Sequence, residues 1–320
     1  MWLLELEKQT KEFEAPQSYF IWSALASVSA IVKDNVWIEL AGELKLYPNI
    51  YVILYGPSGV RKSMPVNMAR RIVDSLECTR VVQGRFSIQA LLHELGQSRI
   101  DIEAEVEDSD SCAFICSSEF AASVVKDTQA ITILTDLHDR HYNEGVRKNM
   151  LKSGGEVLRD PTITLLGACN DDMWKDVVSS RDLKGGFLGR IFLIDEYETG
   201  TLNSLMFEQD GATLRYNQLV QPILNRKNLK GAFEFGKDAR QYHHDWYMNY
   251  FKGKKIDDET GSQLRISDKI LKVAMLMSLC ENDKMTIKEH HIKWARNLCM
   301  PTLQSAARIA KDQTLSLIHI

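Results

Sequence analysis

Several features are scarce in this sequence, and each absence narrows the class of protein. Proline and glycine number only 7 and 18 among 320 residues, which excludes collagen-like and low-complexity chains. Basic residues do not outnumber acidic ones (39 against 43, net charge −4), which excludes a globally basic nucleic-acid coat but not a local basic channel. No apolar run approaches the roughly 18 residues of a membrane helix, and the N-terminus carries acids where a signal peptide carries Lys or Arg. We therefore expect a soluble intracellular protein with no membrane partner.

The sequence contains cysteines but no closely spaced cysteine motif. The six cysteines are scattered, with no Cys-x-x-Cys pair. Cys112 and Cys116 lie in a strand-like run, where positions four apart are separated by about 13 Å at about 3.3 Å per residue. That distance is too great for one zinc ion to bridge, so we expect buried, reduced thiols.

Hydrophobic residues make up 44% of the chain, enough for a sizeable core and, at roughly 150 residues per domain, for about two domains. Between residues 47 and 200, short apolar runs alternate with helical patterns, which predicts an α/β core with a parallel sheet covered by helices. An acid-rich stretch, 101–110, is expected to be a solvated loop. The predicted strands of this core cover 50–55, 80–83, 112–116, 162–168 and 191–194.

The predicted core is flanked by two mostly helical segments. Residues 1–46 indicate helices, with Ser18 as a candidate cap, followed by a short strand pair at 36–40 and 44–46. Residues 201–314 predict a C-terminal helical domain, because apolar residues recur at three- and four-residue spacing in three stretches. Those stretches are 238–251, 267–280 and 288–311.

The last six residues, 315–320, differ in character from the rest. Leu315-Ser-Leu-Ile-His-Ile320 resembles the translation of a transposon end used in preparing sequencing libraries. We expect a sequencing-adapter artefact at the end of a truncated reading frame, in which case a C-terminal partner domain could have been lost; an ordinary apolar tail is the alternative.

The strongest functional motif follows the first buried strand of the core. A strand, a glycine-containing loop ending in Lys-Ser, and a helix together are typical of a phosphate-binding loop, which holds ATP. In this interpretation Lys62 contacts the β- and γ-phosphates and Ser63 offers a hydroxyl to Mg²⁺. Arg61 departs from the usual pattern, which has glycine there: it limits the backbone, or it adds a cation near the phosphates. The alternative is a chance turn. The candidate nucleotide-binding residues are Gly56, Pro57, Ser58, Gly59, Val60, Arg61, Lys62 and Ser63.

These residues, with their preceding strand 47–55, resemble a family of phage and plasmid P-loop ATPases. Much of that family was long labelled a domain of unknown function, and its members often lie beside primase domains. The resemblance extends through Ser118-Glu119-Phe, 134–139, 161–170 and 185–190, and more loosely through 265–279. It implies a nucleotide-driven DNA-replication ATPase, similar to hexameric helicases of the RecA or AAA+ type, in the cytoplasm of a bacterium or a phage-infected host.

The resemblance also suggests catalytic residues. Glu119 ends a strand like that of a Walker B motif and is a candidate to orient the attacking water and support Mg²⁺, although Ser118 replaces the usual Asp. An exposed acid capping the next helix is the alternative. Asn170 resembles a sensor amide that holds the water or γ-phosphate, or is a turn residue.

Two arginines complete the candidates. Arg190, after a glycine-rich loop, is a candidate arginine finger for a neighbouring subunit; alternatively it pairs with Asp195 or Glu196. Arg265 is a candidate second phosphate sensor on the C-terminal segment.

Other clusters give weaker signals. The pairs His243-His244 and His290-His291 are adjacent along helices, so we expect their side chains to diverge and not to share a metal. Asp136, His138, Asp139 and His141 form a denser cluster. The family resemblance covers Asp139, and an acid at a helix N-terminus explains this residue nearly as well.

A nucleic-acid site is weakly marked by the basic stretch 251–255 with Trp246, Tyr247 and Tyr250 nearby, suited to phosphates and base stacking. A solvated loop is the alternative. The sequence thus predicts a Mg²⁺-dependent ATPase driving DNA replication, helicase-like on single-stranded DNA and assembled as a homo-oligomer such as a hexamer. The rival interpretations are a slowly hydrolysing nucleotide switch or loader, and a small-molecule kinase using the same loop.

Overall fold

A computed structural model describes residues 1–84, 86–96, 99–101, 106–108, 111–120, 129–139, 146–151, 154–177, 186–202, 214–254, 258 and 260–318. The α-helices among them are α1 Trp2–Thr10, α2 Gln17–Val32, α3 Ser63–Asp74, α4 Ile88–Gly96, α5 Ala130–His138, α6 Asp171–Val177, α7 Phe187–Arg190, α8 Tyr216–Val220, α9 Lys237–Phe251, α10 Ile266–Glu281 and α11 Glu289–Ile318. The strands are β1 Val36–Glu39, β2 Lys45–Leu46, β3 Tyr51–Tyr55, β4 Arg80–Gln83, β5 Arg99–Asp101, β6 Val106–Asp108, β7 Cys112–Ser117, β8 Val146–Leu151, β9 Gly154–Arg159, β10 Thr162–Cys169, β11 Ile191–Asp195, β12 Gly231–Ala232, β13 Glu234–Phe235 and β14 Thr286–Ile287.

A five-stranded sheet organises the fold, in the order β11-β3-β10-β7-β4, and all its pairings are parallel. The α/β class and all five strands predicted for the core are confirmed. From β3 the chain crosses to the far edge, returns through β7 and β10, and then crosses back to β11. The strand order therefore reverses between β3 and β10, which opens a crevice at their carboxyl ends.

The two faces of this sheet belong to two apolar clusters. Successive residues of β3 alternate between them: Val52 and Leu54 join one cluster, whereas Tyr51, Ile53 and Tyr55 join the other. This alternation is the period of two expected for a strand, and each face is apolar because helices cover both. Helices α2, α3 and α10 cover the first face, and α4, α5 and α7 cover the second.

The N-terminal and C-terminal segments share the first cluster with the sheet. Leu6, Leu25 and Met275 are all buried in it. The predicted strand pair β1–β2 is present and antiparallel, and β1 also pairs in parallel with β12 of the C-terminal segment. The β1–β12 pairing connects residues more than 190 positions apart, and no local pattern predicts it. The division into 1–46, 47–200 and 201–314 stays a prediction.

Several local predictions were wrong. Pro16, and not Ser18, precedes the first turn of α2, and Ser18 lies inside the helix, where its hydroxyl donates to Glu196. The described part of 101–110, predicted to be a loop, contributes instead to an antiparallel ribbon, β5–β6. The C-terminal segment also contains short strands.

The Oγ of Ser87 accepts the Ala90 amide at 3.1 Å and so caps α4. None of the six cysteines forms a disulfide, as the sequence predicts, and five of them are buried. Helix α11 continues through 315–318, and the last two residues lie outside the described part of the chain. Among the described residues, no helix has the length and apolar character needed to cross a membrane.

Candidate active site

The 56–63 loop joins β3 to α3 at the carboxyl edge of the sheet. The last residues of the two neighbouring strands, Cys169 and Asp195, are in register with Tyr55. The Gly56 amide donates to the Cys169 carbonyl at 3.3 Å, so the loop begins against β10. The loop thus lies at the crevice where strand order reverses, the position at which parallel sheets bind ligands.

Position 56 requires glycine because neighbouring atoms leave no room for a side chain. A Cβ atom there would lie 2.2 Å from the Glu196 carbonyl oxygen and 2.8 Å from the Tyr19 hydroxyl. That hydroxyl donates to the Tyr55 carbonyl at 2.6 Å, so helix α2 fixes the start of the loop. Gly59 is required for conformation, because its φ is +96°. The pattern identified both glycines, but nothing local to Tyr19 indicated its role.

The ammonium of Lys62 lies within the curve of the loop. Its Nζ donates to the carbonyls of Gly56 and Pro57, both at 2.7 Å. Burial lowers the pKa of Lys62. Ser63 begins α3 with an exposed side chain, and the first turn of that helix contains no acidic residue. A lysine and the amide end of a helix, with no carboxylate in the helix's first turn, suit an anion.

Arg61 occupies the left-handed region at φ +55°, where the usual motif has glycine. Its backbone therefore adopts the turn despite the side chain, which for a non-glycine residue costs about 1–2 kcal/mol. Its Nε donates to Glu14 Oε2 at 2.7 Å. The guanidinium thus points to the N-terminal segment, so the expectation that it adds a cation at the phosphates is not what this arrangement shows. Glu14 lies 47 positions away in sequence, and no pattern identified it.

Glu119 lies at the same edge, two residues beyond the end of β7. Two strand spacings, about 10 Å, separate β7 from β3, with β10 between them. The Glu119 side chain is exposed, and its amide donates to Ser117 Oγ at 3.2 Å. Phe120 packs against Gly167 of β10, where a Cβ would lie 2.8 Å from the Phe120 Cβ. The absence of a side chain at Gly167 therefore allows the turn that contains Glu119 to pack close to the sheet. The helix that Glu119 would cap lies outside the described residues.

Asn170 follows β10 and caps α6. Its Oδ1 accepts the Met173 amide at 3.0 Å, so the turn interpretation describes its oxygen. Its side-chain NH₂ group has no hydrogen-bond partner among the described residues. Because β10 lies between β3 and β7, these two donors lie between the 56–63 loop and Glu119. The helix cap uses only the side-chain oxygen of Asn170, so its NH₂ group can still serve as the predicted sensor.

Arg190 lies at the opposite edge of the sheet. It precedes Ile191, which pairs with Tyr51 at the amino end of β3. The four residue steps from Tyr51 to Tyr55 place it about 13 Å from the level of the loop. Arg190 therefore cannot reach a phosphate held by the loop of its own chain. Arg265 lies beside Arg190 and likewise does not face that loop.

Arg190 does not pair with Asp195 or Glu196, the partners that the alternative interpretation gave it. Its guanidinium binds Asp139 through Nε, at 3.0 Å, and through Nη2. Asp195 instead binds Ser305 and Arg308, because it lies at the carboxyl end of β11, one strand length from Arg190.

Asp139 follows the carboxyl end of α5, so its interpretation as an acid at a helix N-terminus was also wrong. Burial acts to raise the pKa of Asp139, but hydrogen bonds from His138 and Arg190 outweigh burial and hold the pKa below its usual range. Burial lowers the pKa of His138 to about 3, so this imidazole is neutral. Of the same predicted cluster, His141 lies outside the described residues.

One described cluster has metal-ligand composition: Glu281, His290 and His291, whose ligand atoms lie within 4.8 Å of one another. The two adjacent histidines converge on one carboxylate, so the expected divergence was wrong. The Lys288 amide donates to His291 Nδ1 at 3.1 Å, which places the proton on Nε2, facing Glu281 at 2.5 Å. Metal-bound imidazoles instead donate from their second nitrogen, so this cluster is a hydrogen-bonded triad and does not suit a metal.

The stretch predicted to bind nucleic acid lies at the end of α9. Trp246 and Tyr250 are stacked with ring centroids 5.3 Å apart, and Lys254 Nζ lies 3.8 Å from the Tyr250 centroid. Lys255 lies outside the described residues. The stacking of aromatic rings beside a lysine is compatible with base stacking and equally with the packing of a helix end.

Four sequence-predicted features thus meet at one edge of the sheet: the glycine loop, Lys62, Glu119 and Asn170. Arg190 does not join them. No protein-family model and no curated protein matches this chain.

Proposed function

We propose that this protein is a Mg²⁺-dependent ATPase. The observation that carries the proposal is the lysine inside a glycine-containing loop, at the crevice of a parallel sheet, with a carboxylate and an amide on the next strands. Phosphate binding requires backbone amides and a cation, and hydrolysis requires a group that positions water. This edge of the sheet contains both.

Each residue has a defined role in this proposal. Lys62 exchanges the carbonyls of Gly56 and Pro57 for phosphate oxygens, while Gly59 allows the loop backbone to curve. Ser63 and Glu119 suit Mg²⁺, which prefers oxygen ligands and keeps several waters. When bound, Mg²⁺ neutralises charge on the transferred phosphate. Glu119 accepts a proton from the attacking water, and the Asn170 NH₂ group orients it.

The resemblance to phage replication ATPases suggests the wider function, in which a ring of identical subunits, such as a hexamer, moves on single-stranded DNA during replication. In this assembly Arg190 acts on the nucleotide of a neighbouring subunit. It would then exchange Asp139 for a phosphate. Its position at the edge opposite the loop supports action between subunits rather than within one.

The first test is ATP hydrolysis at low salt, with and without single-stranded DNA. We expect turnover that depends on Mg²⁺, rises with DNA and is lost in Lys62→Ala, whose thermal unfolding stays like that of the wild type because Lys62 is only partly buried. Lys230→Ala, an exposed lysine of the C-terminal segment outside the 251–255 stretch, is the matched control and should keep hydrolysis. Full hydrolysis in Lys62→Ala would refute the assignment.

A mixing experiment tests the role of Arg190. Lys62→Ala and Arg190→Ala are each expected to be inactive as pure proteins. If Arg190 acts across an interface, mixed assemblies contain sites with an intact loop and an intact arginine from different chains, so activity returns. A mixture that remains inactive while co-assembling would contradict the role between subunits.

A second function, a slowly hydrolysing nucleotide switch, is favoured by one observation: Ser118 stands where an Asp would support the metal. Under this proposal ATP binds tightly and turnover is slow and indifferent to DNA. Replacing Ser118 with Asp should then accelerate turnover.

A further inference from the structure

A second concave site lies at the amino edge of the sheet, opposite the 56–63 loop. Its volume is about 300 Å³, at the small end of the range for ligand pockets. Cations outnumber acids among its lining residues, which include Arg190, Arg265, Lys269, Lys272, Asp139 and Asp268.

Two of these cations are lysines buried on α10. Lys269 and Lys272 are only 4% and 5% exposed. Lys269 Nζ donates to the Ile191 carbonyl at 2.5 Å, and Lys272 Nζ donates to the backbone carbonyl and Oδ1 of Asn49 at 3.0 and 2.8 Å. These acceptors are neutral and occupy one and two of the three donors that each ammonium offers. Among the described residues, these hydrogen bonds leave one donor of Lys272 and two donors of Lys269 without an oxygen acceptor; the Lys269 ammonium also lies 4.6 Å from the centroid of the Phe192 ring.

The two guanidiniums converge on the same place. A Cβ on Gly186 would lie 2.9 Å from Arg190 Nη1 and 3.9 Å from Arg265 Nη2. Asp139 pairs with Arg190, Asp268 is exposed, and the neutral His138 adds no charge. Two carboxylates thus face four cations, which leaves an excess of two positive charges around the cavity. Burial lowers the pKa of both lysines to about 8.

We propose that this cavity binds a compact phosphate dianion, either inorganic phosphate or a phosphate monoester. A dianion matches the excess charge, and its oxygens accept from the free ammonium donors and from the guanidinium groups. The small cavity favours a compact anion over an extended one. This site lies at the other edge of the sheet from the 56–63 loop, and the inference does not depend on ATP hydrolysis.

The test is calorimetric titration of inorganic phosphate into the full chain, at constant ionic strength maintained with chloride. The starting protein carries Lys62→Ala, so that the loop does not contribute. Lys272→Met and Arg265→Gln are then added separately; the second is half-exposed and keeps the test valid if the first fails to fold. Lys230→Met, at an exposed position outside the 251–255 stretch, removes the same charge elsewhere and is the matched control.

We expect phosphate to bind Lys62→Ala and its Lys230→Met derivative equally well. Affinity should fall about tenfold or more when Lys272 or Arg265 is replaced, as for the loss of a charged hydrogen bond. Absence of phosphate binding to Lys62→Ala, or binding unchanged by both cavity substitutions, would overturn the proposal. Displacement of phosphate by a single-stranded oligonucleotide would also overturn it, in favour of a nucleic-acid phosphate, whereas no displacement supports the compact ligand.

Discussion

The buried ammonium of Lys272 makes the stability of the protein depend on alkaline pH. Burial, only partly offset by Asp139 and Asp268, lowers its pKa from 10.5 to about 8. In the unfolded chain the lysine regains its ordinary pKa, so between these values the unfolded state binds more protons than the folded state. Unfolding then becomes less favourable as pH rises. The difference in pKa corresponds to roughly 3 kcal/mol of added stability across that interval.

The assay compares urea unfolding of the wild type and Lys272→Met at about pH 7 and about pH 10. Methionine fills a similar volume without a charge, so the wild type should gain stability relative to the variant as pH rises. Burial raises the pKa of several thiols and phenols, so these groups keep their protons in the folded state and lose them on unfolding near pH 10. Because this happens in both proteins, and Lys269 also titrates in both, these effects largely cancel in the difference. The groups are Cys116, Cys280, Cys299, Tyr19 and Tyr51. Asp139 and Arg190 also face Lys272, and Asp139, whose pKa is held below its usual range, keeps its charge between these pH values.

A difference in stability that stays constant from about pH 7 to about pH 10 would refute this reasoning, because it would mean that Lys272 titrates alike in both states. The same measurement with saturating inorganic phosphate links it to the cavity. A bound dianion should raise the pKa of Lys272 and so reduce the dependence on pH.

Three further predictions concern the sheet edges. Asn170→Asp keeps the cap oxygen and loses the NH₂ donors, so it should lower hydrolysis without lowering the melting temperature, whereas Asn170→Ala should also cost about 1 kcal/mol of stability in thermal unfolding. Gly56→Ala must displace backbone and should destabilise the protein by about 1–3 kcal/mol, whereas Gly59→Ala, with open space around its Cβ, should cost only about 1 kcal/mol; equal costs by urea unfolding would contradict this distinction. Arg190→Ala removes the guanidinium that binds the partly buried Asp139 and leaves its negative charge less well compensated, so adding Asp139→Asn should recover stability in thermal unfolding; no recovery would contradict the importance of the pair.

Hydrophobic patterning predicted the elements of this protein well. The five core strands and the helices α9 and α10 were identified within one or two residues, because each presents a regular apolar period. The wrong predictions concern segments in which the hydrophobic pattern carries no information. The cap of α2 depends on backbone geometry at Pro16, and the β5–β6 ribbon consists of side chains that show no apolar alternation.

The candidate site was predictable to the extent that its residues follow strands directly. Gly56, Glu119 and Asn170 lie within two residues of the ends of buried parallel strands, and such ends meet at one edge. Lys62 ends the loop that begins at Gly56, so the motif places it at the same edge. Glu14 and Tyr19 were missed because they act on the loop from helices and turns more than 30 positions away. The two adjacent histidines were misjudged because a third residue, Glu281, draws both rings together.

The sequence by itself determined the parallel sheet and the loop at its carboxyl edge, since both depend on the local succession of strand, turn and helix. Only the tertiary structure decided which end of the sheet each arginine occupies. Arg190 was predicted near Asp195 because they are close in sequence, but a strand separates its two ends by its own length. Packing of α10 on the sheet then buried two lysines beside Arg190 and created a cationic cavity, because burial is a property of the assembled core and not of any segment.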